Sequence, residues 1–209
     1  VAISNAHAYE RTEKTALTDP LTGLPNARCF FVKLEQEMSR SIRENRPFSL
    51  LLLDIDHFKD INDDFGHQQG DRVLKELAEI CRQTVREYDV VARYGGDEFF
   101  ILLPGTPNKE ALETIARIKK AVNAFEPGLD GNPGFRVQVS IGLATFPGDA
   151  TDAKALLALA DKAMYADKKL NRYQSKLLLS SSRRQDTVKS EHKETREGAA
   201  QPPEKAEKR

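Results

Sequence analysis

Only two cysteines, Cys29 and Cys81, occur in the chain. That is too few for a disulfide framework, and no His–Cys cluster has zinc spacing. Both sit in amphipathic helical patterns and read as buried free thiols of a reducing compartment. No apolar run approaches the roughly 20 residues that span a bilayer. This argues against membrane insertion of this stretch and for a cytoplasmic location. Lys plus Arg (32) balance Asp plus Glu (32), a formal net charge of zero, so no global basic field points to nucleic acid. A Gly-rich loop ending in Lys-Ser or Lys-Thr is also missing, which excludes the standard P-loop cradle. What is present is a hydrophobic fraction of 39% in 209 residues, enough for one core of ordinary domain size with tails.

Ile3, Ala6, Tyr9 and Ala16, spaced among polar residues, predict a helix over 1–17 arriving from an upstream region. With Val1 at its start and no signal-peptide pattern, the chain reads as a piece of something longer. The turn-forming stretch Asp19–Asn26 ends that helix. Phe30, Phe31, Leu34, Met38 and Ile42 recur at helical spacing over 27–45, and Pro47 stops the run. Residues 48–55 are continuously apolar, as in a buried strand, and lead into Asp54-Ile55-Asp56, whose two aspartates share one face. The polar stretch 56–69 reads as a loop, with Gly70-Asp71 opening the next helix. Val90-Val91-Ala92 and Phe99–Leu103 flank Gly95-Gly96 as the arms of a hairpin. A helix over 108–125, a turn-rich loop over 127–134, a strand over 135–145 and a helix over 152–171 follow. From 175 to 209 the composition predicts a disordered tail, with Leu177-Leu178-Leu179 as a candidate edge strand. The expected division is a linker helix (1–17), a domain (18–174) and the tail.

Strand, helix, strand, strand, helix, strand is the split βαβ order of a ferredoxin-like α+β fold, a mostly antiparallel sheet flanked by helices. The first and third strands are then antiparallel neighbours, so the exit of the first lies beside the hairpin. Asp54 and Asp97 are expected at the same rim.

Two ionised carboxylates about 4 Å apart repel by about 4 kcal/mol at an effective dielectric near 20. Such a pair calls for a cation between its members or a proton on one of them; the plainer alternative is acids capping a surface turn. Acids from separate strands in oxygen-only surroundings suit Mg²⁺, which keeps waters and accepts substrate phosphates as further ligands. Gly95 and Gly96 leave backbone room for a nucleotide at the hairpin tip. Asn62 and Asp71 offer groups that match the edge of guanine. Each also has an ordinary use, Asn62 in satisfying turn backbone and Asp71 at a helix N-terminus. Lys168 and Arg172, at i and i+4 on the last helix, suit phosphates or form a solvated basic face.

Together these residues resemble the GGDEF family of diguanylate cyclases. The resemblance covers roughly 19–173 and is carried by Asp-Pro-Leu-Thr-Gly-Leu-Pro-Asn (19–26), Leu-Asp-Ile-Asp-His-Phe-Lys-Asp-Ile-Asn-Asp-Asp-Phe-Gly-His (53–67), Gly-Asp (70–71), Arg-Tyr-Gly-Gly-Asp-Glu-Phe (93–99), Ser-Ile-Gly-Leu-Ala (140–144) and Ala-Asp-Lys-Ala-Met-Tyr (160–165). It implies a core of the nucleotide-cyclase and polymerase-palm kind that condenses two GTP into cyclic di-GMP and releases two pyrophosphates. Two antiparallel domains would each hold one GTP. Asp54 and Asp97 would be the side-chain metal ligands with the Ile55 carbonyl, for two Mg²⁺ per site or Mn²⁺ as a substitute. Glu98 would support that site, and Asp97 or a bound water would deprotonate the 3′-OH.

The resemblance further implies that Asn62 and Asp71 read guanine, that His67 and Phe58 shape its pocket, and that Lys59, Lys168 and Arg172 hold phosphates. Arg86, Asp89 and Arg117 match an Arg-x-x-Asp inhibitory site for the product. Asn171 and Tyr173 replace the glycine and asparagine usual around Arg172. An upstream sensor domain is the implied regulatory partner. Two other functions compete: a catalytically silent cyclic di-GMP receptor, and a synthase of mixed cyclic dinucleotides. Asp71 speaks against the latter, because a carboxylate repels the acceptor N1 of adenine.

Overall fold

Residues 17–129 and 135–174 are described by the structure, a computed structural model. Apart from Leu17, the expected entry helix lies outside the described residues, as do 130–134 and the tail from 175. The chain divides into a unit ending at Lys168 and a second beginning at Lys169. Of the second, residues 169–174 are described and are helical.

Asn26 starts the first helix, α1 (Ala27–Glu44), by accepting the Cys29 N–H on its side chain at 3.1 Å. Asn45 ends it in left-handed conformation, φ 50°. The exposed Arg40–Glu44 pair adds only about 0.3–0.5 kcal/mol. Burial of Phe30 and Leu34 is worth about 1.5–3 kcal/mol each, so packing fixes this helix and surface charge does not.

β1 (Phe48–Ile55) is buried along its whole length because it is a central strand. The sheet also contains β2 (Val90–Gly95), β3 (Glu98–Leu103) and β4 (Val139–Phe146), in the order β2-β3-β1-β4. Every neighbouring pair is antiparallel. The helices between strands are α2 (Phe58–Phe65), α3 (His67–Thr84) and α4 (Asn108–Ala124); residues 153–168 are helical and form α5. This is the ferredoxin-like α+β topology, with its first crossover made of two helices. Leu51, Leu53 and Ile55 face α3 and α4 through Val73, Leu77 and Ile118. Leu50 and Leu52 face α1 and α5 through Phe30, Leu34, Leu156 and Met164. Strict alternation along β1 thus separates two cores.

Two segments differ from the sequence reading. The stretch 56–69 is mostly helical: Phe58, Ile61 and Phe65 give α2 an apolar side that packs on the core. α3 opens at His67 behind Gly66 (φ 83°), and Gly70 lies inside it. A Cβ at Gly70 would meet Asn62 Oδ1 at 2.0 Å and Phe58 Cζ at 3.2 Å, so its glycine serves helix-on-helix approach. β4 begins at Val139 because that residue pairs with Ile55, where β1 ends.

Gly142 makes a second close approach. A Cβ there would stand 1.9 Å from the Ala160 carbonyl and 2.3 Å from the Met164 nitrogen, backbone atoms that cannot rotate away. Gly142→Ala is expected to push α5 off β4 and cost about 2–3 kcal/mol of stability, measured as a lower denaturant midpoint in chemical unfolding.

Candidate active site

The β1–β3 register sets Asp54 opposite Glu98, and even-numbered side chains of both strands point to the α1/α5 side. Asp97 occupies the turn just before β3. Its carbonyl accepts the Ile55 N–H at 3.4 Å, which ties the turn to the end of β1. Asp54 is 7% exposed. Burial holds its carboxyl above the usual aspartate value, the charges of Asp97 and Asp56 push the same way, and Lys168 opposes them. Glu98 is likewise raised, by burial first and then by Asp54, Asp97 and Asp161, again against Lys168. The structure therefore gathers Asp54, Asp97 and Asp161 around the Glu98 carboxylate at one end of the sheet. Asp56 is buried beside them and accepts the Ser140 hydroxyl at 2.6 Å.

One ammonium enters this cluster. Lys168 Nζ donates to Asp54 Oδ1 at 2.5 Å, both groups largely buried. A charge-assisted hydrogen bond of this kind is about twice as strong as a neutral one.

The turn itself is gripped by Arg93. Its Nε and Nη2 donate to the Gly96 carbonyl at 3.1 and 2.7 Å, and its Nη1 donates to Asp19 Oδ1 at 3.1 Å. Asp19 is shaped in turn by the Thr22 N–H and hydroxyl at 2.8 and 2.7 Å. Burial alone would raise the Asp19 carboxyl, but the bonds from Thr22 and Arg93 outweigh it and hold it below its usual value. The Arg93 N–H donates to the Pro25 carbonyl at 2.9 Å, so the 19–26 turn and the hairpin turn form one rigid piece. Gly96 sits at φ +54°, and a Cβ on Gly95 or Gly96 would meet nothing within 4 Å. The left-handed conformation at Gly96 favours glycine, and the surroundings of both are open.

The remaining residues singled out from the sequence fall into four groups. Phe58 and Asn62 of α2 lie against the bare Gly70 backbone of α3, next to Asp71. Lys59, His67 and Asp71 are exposed. Arg172 is helical and exposed and belongs to the second unit. Arg86 and Asp89 close a turn: the Arg86 N–H donates to Asp89 Oδ2 at 2.8 Å, and the Arg86 guanidinium donates to the Tyr88 hydroxyl at 2.9 Å. Burial raises the Asp89 carboxyl, while the Arg86 N–H and the charges of Arg86 and Arg117 oppose this. All three therefore share one locale. Asp89 Oδ1 is buried without a hydrogen-bond partner, and the residue lines a cleft of about 490 Å³ together with Arg82 and Arg86.

Among the described residues no group of three or more His, Cys, Asp or Glu side chains is set to hold a metal ion by itself. The acid cluster still fits a hard cation that keeps water and phosphate ligands. It offers oxygen donors only, it is desolvated at Asp54, and its repulsion is one a divalent ion would relieve.

Residues 16–174 match the family described as "Diguanylate cyclase, GGDEF domain". This chain belongs to the GGDEF family. It is 41% identical over 168 residues to Diguanylate cyclase DgcP of Pseudomonas aeruginosa, covering 80% of this chain and 25% of that protein. It is 37% identical over 175 residues to Diguanylate cyclase A of Treponema denticola, covering 82% and 46%. The chain thus spans less than half the length of either relative. Among solved structures, the coiled coil and GGDEF domain of DgcB from Caulobacter crescentus, in complex with c-di-GMP, superposes with TM-score 0.74 at 29% identity, covering 80% of this chain and 88% of that one. Among the described residues no helix of this GGDEF domain is long and apolar enough to cross a membrane.

Sequence reasoning gave no role to Arg93, Asp19, Asp161 or Gly142. Arg93 and Asp19 lie inside motifs that it quoted; what it lacked was the chain reversal joining positions 74 apart. Asp161 adds its charge to Glu98 from α5.

The raised Glu98 carboxyl has a consequence for stability. The folded domain binds this proton more tightly than the unfolded chain, so stability falls as pH rises through the ordinary glutamate value of 4.5 and on to the folded one. A neutral glutamine escapes that loss. In chelator, Glu98→Gln is expected to gain stability over the wild type from pH 4 to pH 7, read as a widening difference in melting temperature. A difference that shrinks or reverses contradicts the placement of Glu98 among like charges.

Proposed function

We propose that this GGDEF domain is a diguanylate cyclase, which condenses two GTP into cyclic di-GMP and releases two pyrophosphates. The observation that supports this best is the convergence of Asp54, Asp97 and Glu98 at one end of the β1–β3 ladder, in a fold whose relatives are named diguanylate cyclases.

Asp54 and Asp97, with the Ile55 carbonyl, would hold Mg²⁺, two ions per site or Mn²⁺ in their stead, and Glu98 supports them. When bound, the ions supply charge stabilisation between the attacking and leaving oxygens of phosphoryl transfer. Asn62 and Asp71 take the guanine edge, Phe58 and His67 flank it, and Gly95 and Gly96 let the nucleotide lie against the turn. Lys59 and Lys168 hold the β- and γ-phosphates. One domain holds one GTP, so the reaction needs a second copy facing it antiparallel. Asp97, directly or through a water, takes the 3′-OH proton of one GTP; the 3′-oxygen bonds to the α-phosphorus of the other, whose bond to pyrophosphate breaks. An upstream domain that aligns two copies would regulate the rate.

Product inhibition is assigned to Arg86, Asp89 and Arg117. The buried acceptor Asp89 Oδ1 suits a nucleobase N–H, and guanidinium groups suit phosphate and the guanine Hoogsteen edge.

Two measurements test the reading. Asp97→Ala is expected to lower pyrophosphate release from GTP and Mg²⁺ by at least about 100-fold with an unchanged circular dichroism spectrum. Wild-type protein that binds cyclic di-GMP but never releases pyrophosphate would be a receptor instead. Arg86→Ala is expected to raise the cyclic di-GMP concentration for half-inhibition about 10–100-fold, followed in the same assay.

A further inference from the structure

Lys168 reaches Asp54 only if α5 stands at one height and one rotation beside β4. A helix rises about 1.5 Å and turns about 100° per residue, so a slip of a single residue would carry the ammonium out of reach. The close approach at Gly142 limits the distance between α5 and β4, and the burial of Leu156, Ala160 and Met164 in the core resists sliding through apolar contact only.

A polar contact at the preceding residue opposes it. Asp167 Oδ2 accepts the Ile141 backbone N–H at 2.8 Å and Lys119 Nζ at 2.5 Å. Among the described residues β4 is the edge strand beyond β1, and Ile141 lies next to the close-packed Gly142. Lys119 belongs to α4, and the Lys119–Asp167 pair is mostly shielded, with side chains 30% and 20% exposed. One carboxylate therefore joins β4, α4 and α5 at the point where Lys168 leaves the helix. A carboxylate on a backbone N–H is directional, and an exposed ion pair is not.

We propose that Asp167, backed by Lys119, is a positioning residue that sets α5 on the edge of β4 and so presents Lys168 to Asp54 and to the bound triphosphate. The triphosphate half of this statement rests on the cyclase reading above; the Lys168–Asp54 half does not.

Crystal structures and a double-mutant cycle test it. In Asp167→Ala, Lys168 Nζ is expected more than about 4 Å from Asp54, beyond ion-pair range. The KM for GTP should rise about tenfold, with a smaller change in kcat. Asp167→Asn still accepts the Ile141 N–H and should recover most of that loss. In a Lys168→Met background, Asp167→Ala should change KM little further, because the two residues act through one contact. An Asp167→Ala structure that keeps Lys168 on Asp54 would overturn the proposal, and so would a KM factor that multiplies unchanged in the Lys168→Met background. Lys119→Met leaves the Ile141 bond in place and keeps the test open if Asp167→Ala does not fold: a smaller KM rise is expected, and none at all overturns the role of Lys119. Should the wild type not turn over GTP, the cyclase reading fails while the crystallographic distance still decides the positioning.

Discussion

Like charge gathered in a small volume is the constraint on which this domain turns. Antiparallel pairing of β1 with β3 brings Asp54 opposite Glu98, and the hairpin adds Asp97. Burial makes the repulsion harder to screen: at an effective dielectric near 20 a pair of charges about 4 Å apart costs about 4 kcal/mol, against about 1 kcal/mol in water. Lys168 offsets part of this at Asp54, and both Asp54 and Glu98 nevertheless remain raised. A divalent cation with phosphate ligands is the partner such a cluster fits, and this ties the electrostatics of the sheet end to the proposed chemistry.

Three pieces of scaffolding hold the cluster together, each by a different force. Arg93 spans the Gly96 carbonyl and Asp19, fixing the hairpin turn from behind. The absence of a side chain at Gly142 lets α5 press backbone to backbone on β4. Asp167 pins that helix to the strand edge. The two apolar cores on either side of β1 give these contacts a rigid base. The cost of assembling like charges is set against burial of side chains such as Phe30, Phe48 and Phe99.

The apolar run of β1, the Gly-Gly hairpin and the helical spacing of Phe30, Leu34 and Met38 carry the strand order in plain view, and with it the meeting of Asp54 and Asp97. Residues 56–69 were harder. Asp, Asn and Gly in that stretch look like a loop, and the helix forms because Phe58, Ile61 and Phe65 find a core to cover, which local composition does not reveal. Gly70 looked like a helix start and is instead a packing gap for Asn62. Arg93 with Asp19, and Asp167 with Lys119, depend on contacts between distant segments, and nothing in their local spacing signals them.

The most direct check on the shared-cation claim is anomalous diffraction from a crystal soaked with Mn²⁺ and a non-hydrolysable GTP analogue. The account predicts an anomalous peak bound to carboxylate oxygens of both Asp54 and Asp97, at about 2.0–2.3 Å, with triphosphate oxygens completing its shell. A peak on neither residue, with nucleotide present, would contradict it.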